Sequence, residues 1–252
     1  MIRDLIVSID RLLLRGKLKI AWIWLIHNTS KRCYSRAGLA SFRLIVFSDQ
    51  LSEIFAIFGS DKGLKQSSSG LPGHRYSAIY QLLFKPYKNK HFNFLEIGIG
   101  TTRETQISNM GINGCVGASL NAWKKYFTAA SIFAFDVDES CLFQSSRITT
   151  GLADQTDRAQ ITKCMEQFEN PKFEIVIDDG LHKPDANKRA FEYLRPWFAR
   201  GTIYVIEDIH TIYLEDMVSW AKSLSLDFCV YASEEWIEEN SNLMVIYPEV
   251  EL

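Results

Sequence analysis

The sequence lacks the cysteine pattern of a disulfide-stabilised or zinc-binding protein. Its five cysteines are odd in number, scattered, and form no CxxC pair: Cys33, Cys115, Cys141, Cys164 and Cys229. Isolated cysteines of this kind are typical of a reducing compartment, where they serve as small apolar residues. We therefore expect a cytoplasmic protein.

The sequence also lacks a long hydrophobic run and an excess of charge of one sign. The longest N-terminal apolar run covers residues 20–26, far short of the roughly 20 residues that span a bilayer. No small-residue cleavage site follows it, which argues against a secretory signal. The formal net charge of -2 carries no overall signature of nucleic-acid binding.

Charge is nevertheless distributed unevenly. Residues 1–50 carry nine lysines and arginines against three acidic residues, and they also contain Trp22 and Trp24 among aliphatic neighbours. We predict that this segment is a helical extension. Three roles are open for it: contact with an anionic membrane surface at the inner face of the membrane, a dimerisation arm, or a cover over the following domain.

Residues 51–252 have the pattern of one α/β domain. Hydrophobic residues make up 47% of the chain, enough for a sizeable core. Strands are predicted at 92–98, 131–138, 147–154, 173–179, 201–208, 227–232 and 242–248. Helices are predicted at 119–127, from about 139, at 156–168 with Thr156 as its cap, at 184–198 and at 213–224. This alternation predicts a mostly parallel sheet with helices on both faces, closed by an antiparallel hairpin of the last two strands.

Two of these strands end in the same unusual way. "VIDDGLH" (176–182) and "YVIEDIH" (204–210) each carry an apolar run into two acids and then a histidine. Because parallel strands share one carboxyl edge, we expect these groups to converge in a crevice. Clustered carboxylates repel one another unless a cation lies among them, and Mg²⁺ prefers oxygen ligands. The alternative is a set of solvated strand ends and helix caps.

A glycine pair follows the first predicted strand. "LEIGIGTT" places Glu96 before Gly98 and Gly100, and Arg103 stands where a dinucleotide-binding motif has its third glycine. The glycines allow a ligand to approach the backbone closely. A carboxylate before them would repel a pyrophosphate but suits a cationic cofactor.

Acidic residues also end the next two strands. Asp136, followed by Asp138, could accept hydrogen bonds from both hydroxyls of a ribose. Asp154 and Gln155 could contact the edge of an adenine, although a helix-capping turn is an equally good interpretation of that pair.

The order of these motifs resembles that of class I S-adenosylmethionine-dependent methyltransferases. A narrower similarity links the chain to the macrolide-sugar O-methyltransferases of the macrocin and mycinamicin type and to their bacterial glycan-cluster relatives. It rests on "GSDKG" (59–63), "HRYSAIY" (74–80), "GASLNAWKKYF" (117–127), "DQTD" (154–157), "IDDGLH" (177–182) and "IEDIH" (206–210). The resemblance covers about residues 51–248. It implies a Rossmann-like fold with a mostly parallel seven-stranded sheet, and S-adenosylmethionine as the cofactor.

The resemblance also implies roles for individual residues. A divalent metal, usually Mg²⁺, would be held by Asp179, Glu207 and Asp208, with His182 as the catalytic base. The implied cofactor-binding residues are Glu96, Gly98, Gly100, Asp136, Asp154, Gln155 and Asp178. The chain departs from the family at Leu181, where a small serine is common.

Three further residues have open roles near this site. His210 is a rival base or a turn residue. His74 and Tyr76 belong to a lid or sugar-contact segment, or lie in an ordinary surface loop.

We therefore predict metal-dependent O-methylation of a sugar hydroxyl on a glycan or glycosylated metabolite. Two neighbouring hydroxyls would complete the metal's coordination, and a neutral histidine would accept the released proton. Two alternatives are open: methylation of a catechol-like or other small diol, and a catalytically silent adaptor that keeps the fold at a membrane. The missing third glycine disfavours an NAD oxidoreductase. A homo-oligomer is an open expectation.

Overall fold

The structure is a computed structural model that describes residues 29–35, 38–44, 50–64, 73–233 and 241–248. For residues 29–35, 38–44 and 232–233, only the backbone is described.

The described strands form one mixed sheet. They are β1 (Thr29–Ser35), β2 (Gly38–Leu44), β3 (Asn93–Ile97), β4 (Ser131–Asp136), β5 (Gln144–Ser145), β6 (Ile148–Leu152), β7 (Phe173–Asp178), β8 (Phe198–Ile209), β9 (Asp227–Ser233) and β10 (Asn242–Tyr247). Their order across the sheet is β2-β1-β9-β10-β8-β7-β3-β4-β6-β5. All seven predicted strands are present. The pairs β6–β4, β4–β3, β3–β7 and β7–β8 are parallel and the pair β9–β10 is antiparallel, as predicted. In addition, β10 runs antiparallel to β8.

The N-terminal extension differs from the prediction where the structure describes it. Residues 29–35 and 38–44 form strands instead of a helix: β1 and β2 pair antiparallel, and β1 pairs with β9 from Lys31 opposite Ser233 to Ser35 opposite Cys229. The edge of β9 offers backbone hydrogen bonds to any segment that can adopt a strand conformation. The composition of residues 1–50 gives no sign that such an edge is available. Trp22 and Trp24 lie outside the described residues, so the proposed roles of the segment before Thr29 stay predictions.

Six α-helices in the described part of the chain pack on the sheet: α1 (Gln50–Phe58), α2 (Ser77–Phe84), α3 (Ala118–Tyr126), α4 (Arg158–Gln167), α5 (Pro184–Leu194) and α6 (Leu214–Ser223). No helix among the described residues combines the length and the apolar character needed to cross a membrane. Pro184 opens α5 as expected, because its fixed φ suits the first helical turn.

Two local helix predictions are wrong. The helix predicted from about residue 139 is one 3₁₀ turn, Glu139–Cys141, because the chain turns back to form β5. The cap of α4 is Asp157, whose carboxylate accepts hydrogen bonds from the backbone N–H groups of Ala159 and Gln160. Thr156 donates to Asp154 instead.

The core on one face of the sheet is aromatic, and it positions the site. Trp123 is completely buried and makes edge-on contacts with Phe55 and Tyr80 at centroid distances of 4.9 and 5.3 Å. Such contacts add about 0.5–1.5 kcal/mol each to the burial of the rings. The packing holds the Tyr80 ring so that its hydroxyl reaches the carboxyl edge of the sheet, where it donates to Glu207.

Candidate metal and cofactor site

One cavity of about 510 Å³ lies at the carboxyl ends of β3, β7 and β8. Predicted residues in its lining are His74, Gly98, Gly100, Asp179, Leu181, His182, Glu207, Asp208 and His210. The expected convergence of the strand ends is therefore observed. Among the described residues, that lining does not include Glu96, Asp136, Asp154, Gln155 or Asp178.

The geometry of a metal site is found at Asp179, His182 and Asp208. One potential ligand atom from each lies within 4.8 Å of the other two. All three side chains are partly exposed to the cavity, and His182 Nε2 lies 3.9 Å from Asp208 Oδ2. The two carboxylates offer the oxygen ligands that a divalent cation prefers, and the imidazole beside them suits either a further ligand or a base.

The backbone is strained at two members of this cluster. His182 has φ of 55° and Asp208 has φ of 52°, the left-handed region that residues with a β-carbon rarely adopt. Each such residue costs on the order of 1–3 kcal/mol and persists only where its surroundings enforce it. The surroundings of Asp208 include Tyr76, whose hydroxyl donates to Asp208 Oδ1 at 2.5 Å. Tyr76 is fully buried and supports the cluster, and its role in a lid or sugar-contact segment stays a prediction.

Sequence reasoning missed Lys62, which lies at the centre of the acidic groups. Its Nζ is 2.5 Å from Asp179 Oδ2, 2.6 Å from Glu207 Oε2 and 3.4 Å from Glu96 Oε1, and the side chain is 2% exposed. Burial lowers the pKa of Lys62, but Asp179, Glu207 and Glu96 together raise it well above its ordinary value. The only signal for Lys62 in the sequence is its place in the "GSDKG" motif.

Glu207 faces this lysine. One of its carboxylate oxygens accepts from Lys62 and the other accepts from the Tyr80 hydroxyl. The side chain is almost fully buried, and burial raises its pKa well above the usual range. The geometry therefore groups Asp179 and Asp208 with His182, whereas the predicted ligand set grouped them with Glu207.

Asp178 and Gln155 brace the loop that carries the cluster. Asp178 is completely buried, and it accepts from Gln155 Nε2 at 3.1 Å, Asn187 Nδ2 at 2.9 Å and the Tyr204 hydroxyl at 3.3 Å. Gln155 Oε1 in turn accepts from the Leu181 N–H at 2.7 Å. Both side chains are enclosed and hydrogen-bonded within the protein, and their role as cofactor contacts stays a prediction.

Gly98 is required for the close approach of two loops. Its φ is 89°, and a β-carbon there would lie 2.2 Å from the carbonyl oxygen of Asp179. The Asp179 N–H also donates to Ile97 at 3.0 Å. The glycine thus allows the loop after β3 to pack directly on the loop that holds Asp179.

The predicted ribose acceptor at the end of β4 is engaged by the backbone. Asp136 Oδ2 accepts from the Ile99 N–H at 2.8 Å, and Oδ1 accepts from the Asp138 N–H at 2.9 Å. Asp136 is 8% exposed, so its carboxylate shapes the glycine loop and has only a small accessible surface.

Asp138 and Asp154 likewise accept hydrogen bonds from neighbouring groups. Asp138 accepts from Thr101 at 2.6 Å and from Ser140, and Arg103 lies 3.2 Å away. These contacts, that of Thr101 foremost, lower the pKa of Asp138 to about 2. Asp154 Oδ1 accepts from both the N–H and the hydroxyl of Thr156, which is the capping turn left open by the sequence.

Glu96 is a completely buried carboxylate beneath the glycine loop. Burial raises its pKa to about 7, against the opposing effect of Lys62. In the described part of the chain, neither of its oxygens accepts a hydrogen bond of good geometry. An acceptor of this kind beside Gly98 fits a cofactor that carries positive charge.

The chain is similar in sequence to known O-methyltransferases. The chain is 33% identical over 140 residues to demethylmacrocin O-methyltransferase of Streptomyces fradiae, a match that covers 56% of this chain and 33% of that protein. It is 31% identical over 140 residues to mycinamicin VI 2''-O-methyltransferase of Micromonospora griseorubida, with coverage of 56% and 33%. No protein-family model matches the chain.

A solved structure has a similar fold. The MycE methyltransferase from the mycinamycin biosynthetic pathway, in complex with Mg and SAH, matches with a TM-score of 0.59 at 23% identity, over 81% of this chain and 55% of that chain. The Rossmann-like methyltransferase fold and the resemblance to sugar O-methyltransferases are thereby confirmed. The chain spans about a third of the length of the curated relatives it matches.

Proposed function

We propose that this protein is an S-adenosylmethionine-dependent and divalent-metal-dependent O-methyltransferase that acts on a sugar hydroxyl of a glycosylated small molecule. The observation that carries this proposal is the cluster of Asp179, His182 and Asp208 at the mouth of a cavity that also exposes Gly98 and Gly100. The similarity to O-methyltransferases named for glycosylated metabolites supports the acceptor class.

Each residue of the cluster has a distinct role in this proposal. When bound, a divalent ion such as Mg²⁺ would supply Lewis-acid polarisation of the acceptor hydroxyl. Asp179 and Asp208 present carboxylate oxygens for it. His182 accepts the proton of the hydroxyl, and Asp208, 3.9 Å from Nε2, stabilises the resulting imidazolium. Glu207 as a third ligand stays a prediction.

The cofactor is proposed to lie along the glycine loop. Gly98 and Gly100 line the cavity, and Glu96 is a buried carboxyl group below them whose pKa burial raises to about 7. We expect the alignment of the methyl donor with the acceptor to account for most of the rate acceleration, since positioning alone can lower an activation barrier by roughly 7–11 kcal/mol.

Two competing functions make different demands on the same residues. A small-diol methyltransferase would use the same cluster with an acceptor that lacks a sugar. A silent adaptor would need none of it, and the presence of Asp179, His182 and Asp208 within 4.8 Å disfavours that interpretation. Peripheral membrane contact through residues 1–50 and self-association stay predictions.

Calorimetric titration with S-adenosylhomocysteine, with and without Mg²⁺, tests the cofactor and is the first experiment. We expect binding at micromolar strength or tighter, about -8 kcal/mol. Methyl transfer to a panel of deoxysugar glycosides and catechols then separates the acceptor classes. Asp179→Ala should bind the cofactor normally and lose metal-dependent turnover. A folded wild-type protein that binds no cofactor in either condition would refute the methyltransferase proposal.

A further inference from the structure

Lys62 gives the acidic site a cation that belongs to the protein. Four carboxylates crowd this edge of the sheet, from Glu96, Asp179, Glu207 and Asp208. The Lys62 ammonium contacts the first three at 3.4, 2.5 and 2.6 Å. A buried ammonium in such contact compensates carboxylates that would otherwise repel one another in a medium of low dielectric.

The lysine is held rigidly in this place. Its carbonyl accepts from the Ser77 N–H at 2.9 Å, and the residues on either side are bonded in the same way, with His74 donating to Asp61 and Arg75 donating to Gly63. Residues 74–77, at the start of α2, therefore hold the backbone around Lys62 in place through three hydrogen bonds. These backbone hydrogen bonds distinguish Lys62 from a lysine in an exposed loop.

The lysine and the candidate metal cluster share one residue. Asp179 Oδ2 accepts from Lys62, while Asp179 also contributes a ligand atom to the group with His182 and Asp208. A divalent ion at that group therefore lies close to a fixed positive charge. Like charges at this separation repel each other strongly where burial limits screening by water.

We propose that the Lys62 ammonium is a resident cation of this site, which competes with a divalent ion for Asp179 and Glu207 and thereby weakens the affinity of the site for that ion. The inference rests on the proposed metal site. Lys62 is a positioning residue here: it holds two carboxylates and has no part in proton transfer to or from the acceptor.

Mn²⁺ binding to the full chain, followed by electron paramagnetic resonance, tests the proposal without any turnover. Lys62→Met keeps the length and apolar stem of the side chain and removes its charge. We expect it to bind Mn²⁺ at least about tenfold more tightly than wild type, because the repulsion is gone. Lys188→Met is the matched control, since Lys188 pairs with Asp216 on the surface, and it should stay within about twofold. Equal or weaker Mn²⁺ binding by folded Lys62→Met would overturn the proposal.

A second pair of variants covers the case in which Lys62→Met fails to fold. In Lys62→Met/Glu207→Gln both charges of the Lys62–Glu207 pair are removed, so neither is left buried without its partner. This double variant is compared with Glu207→Gln alone. The double variant should bind Mn²⁺ about tenfold more tightly than the single variant. Equal affinities would refute the competition.

The same titration separates this inference from the proposed function. Mn²⁺ binding by Lys62→Met but not by wild type would support the role of Lys62 and contradict metal-dependent catalysis. Binding by neither protein would overturn both. Binding by wild type with no gain in Lys62→Met would leave the proposed function standing and overturn the inference alone.

Discussion

The carboxylates after β4 and β6 and those after β7 and β8 lie at the same sheet edge but are stabilised in opposite ways. Asp136, Asp138 and Asp154 each accept hydrogen bonds from nearby backbone N–H groups, and Asp138 and Asp154 also from hydroxyls. Asp179 and Glu207 instead share the buried ammonium of Lys62, which is far from both in the sequence, and Glu207 also accepts from the Tyr80 hydroxyl. Hydrogen bonds from nearby groups dominate in the first set, with Arg103 3.2 Å from Asp138, whereas a buried ammonium lies among the acids of the second.

The pKa values express this difference. Hydrogen bonds from Thr101 and Ser140 hold the pKa of Asp138 at about 2. After β7 and β8, burial raises the pKa values of Asp179 and Glu207. Local hydrogen bonds therefore build a fixed platform on the proposed cofactor side, and unbalanced charge on the other side makes a site for cations.

The largest expected effect is on turnover at the charged side. His182→Ala should reduce the rate of methyl transfer by about 10²–10⁴-fold, since a positioned base contributes on that order. Single-turnover kinetics measures the loss. If His182 is a base, Mn²⁺ affinity should be nearly unchanged. A large loss of Mn²⁺ affinity would instead identify His182 as a metal ligand.

A large loss of stability is expected where the two regions join. Asp178→Ala leaves donors of Gln155, Asn187 and Tyr204 buried without their acceptor, so it should lower the free energy of unfolding by about 3 kcal/mol. Chemical denaturation measures the change. The control Asp185→Ala removes an exposed carboxylate from the first turn of α5 and should cost less than about 1 kcal/mol. Equal losses of stability in the two variants would show that the hydrogen bonds to Asp178 do not stabilise the fold.

The pH dependence of stability should change in Glu96→Gln. Because burial raises the pKa of Glu96 to about 7 from 4.5, the folded state holds this proton more tightly than the unfolded state. Its stabilising contribution is complete below about pH 4.5 and is lost as the pH rises through about 7, a change of about 3 kcal/mol. Glu96→Gln cannot lose the proton. Its free energy of unfolding relative to wild type should therefore rise by about 3 kcal/mol between pH 5 and pH 8.

Denaturation at both pH values checks this prediction. Glu166→Gln, at an exposed position of α4, is the control and should show no such difference. A flat difference for Glu96→Gln as well would mean that Glu96 stays ionised beside Lys62 across this range.

The smallest expected effect is on the hydrogen-bonded side. Thr101→Val removes the hydroxyl that donates to Asp138 at 2.6 Å and accepts from the Arg103 N–H. The free energy of unfolding should fall by about 1–2 kcal/mol. The pKa of Asp138 should rise from about 2, since Thr101 is the main cause of its depression. Carbon-detected NMR titration of the carboxyl group reports the shift, and an unchanged value would contradict the assigned cause.

Much of the fold could be predicted because its signals are local. Apolar runs marked all seven strands of the methyltransferase sheet, and acids after those runs marked the site edge. The adjacent residues Asp178 and Asp179 show what local signals could not predict, because the two side chains have different surroundings. β7 ends at Asp178, so Asp178 is the last strand residue and Asp179 is the first residue of the loop that follows. Asp179 lines the cavity, and Asp178 is buried in the brace.

The sequence by itself determined the alternation of strands and helices, the glycines after β3 and the acids after β7 and β8. Only the tertiary structure decided which charges meet. Lys62 precedes Asp179 by 117 positions and Glu207 by 145, and it reaches them because α2 and the aromatic core fix its segment over the sheet edge. The β1–β2 hairpin likewise depends on the free edge of β9. Local pattern reports what each segment prefers, whereas burial and long-range contact determine the charge environment of each group.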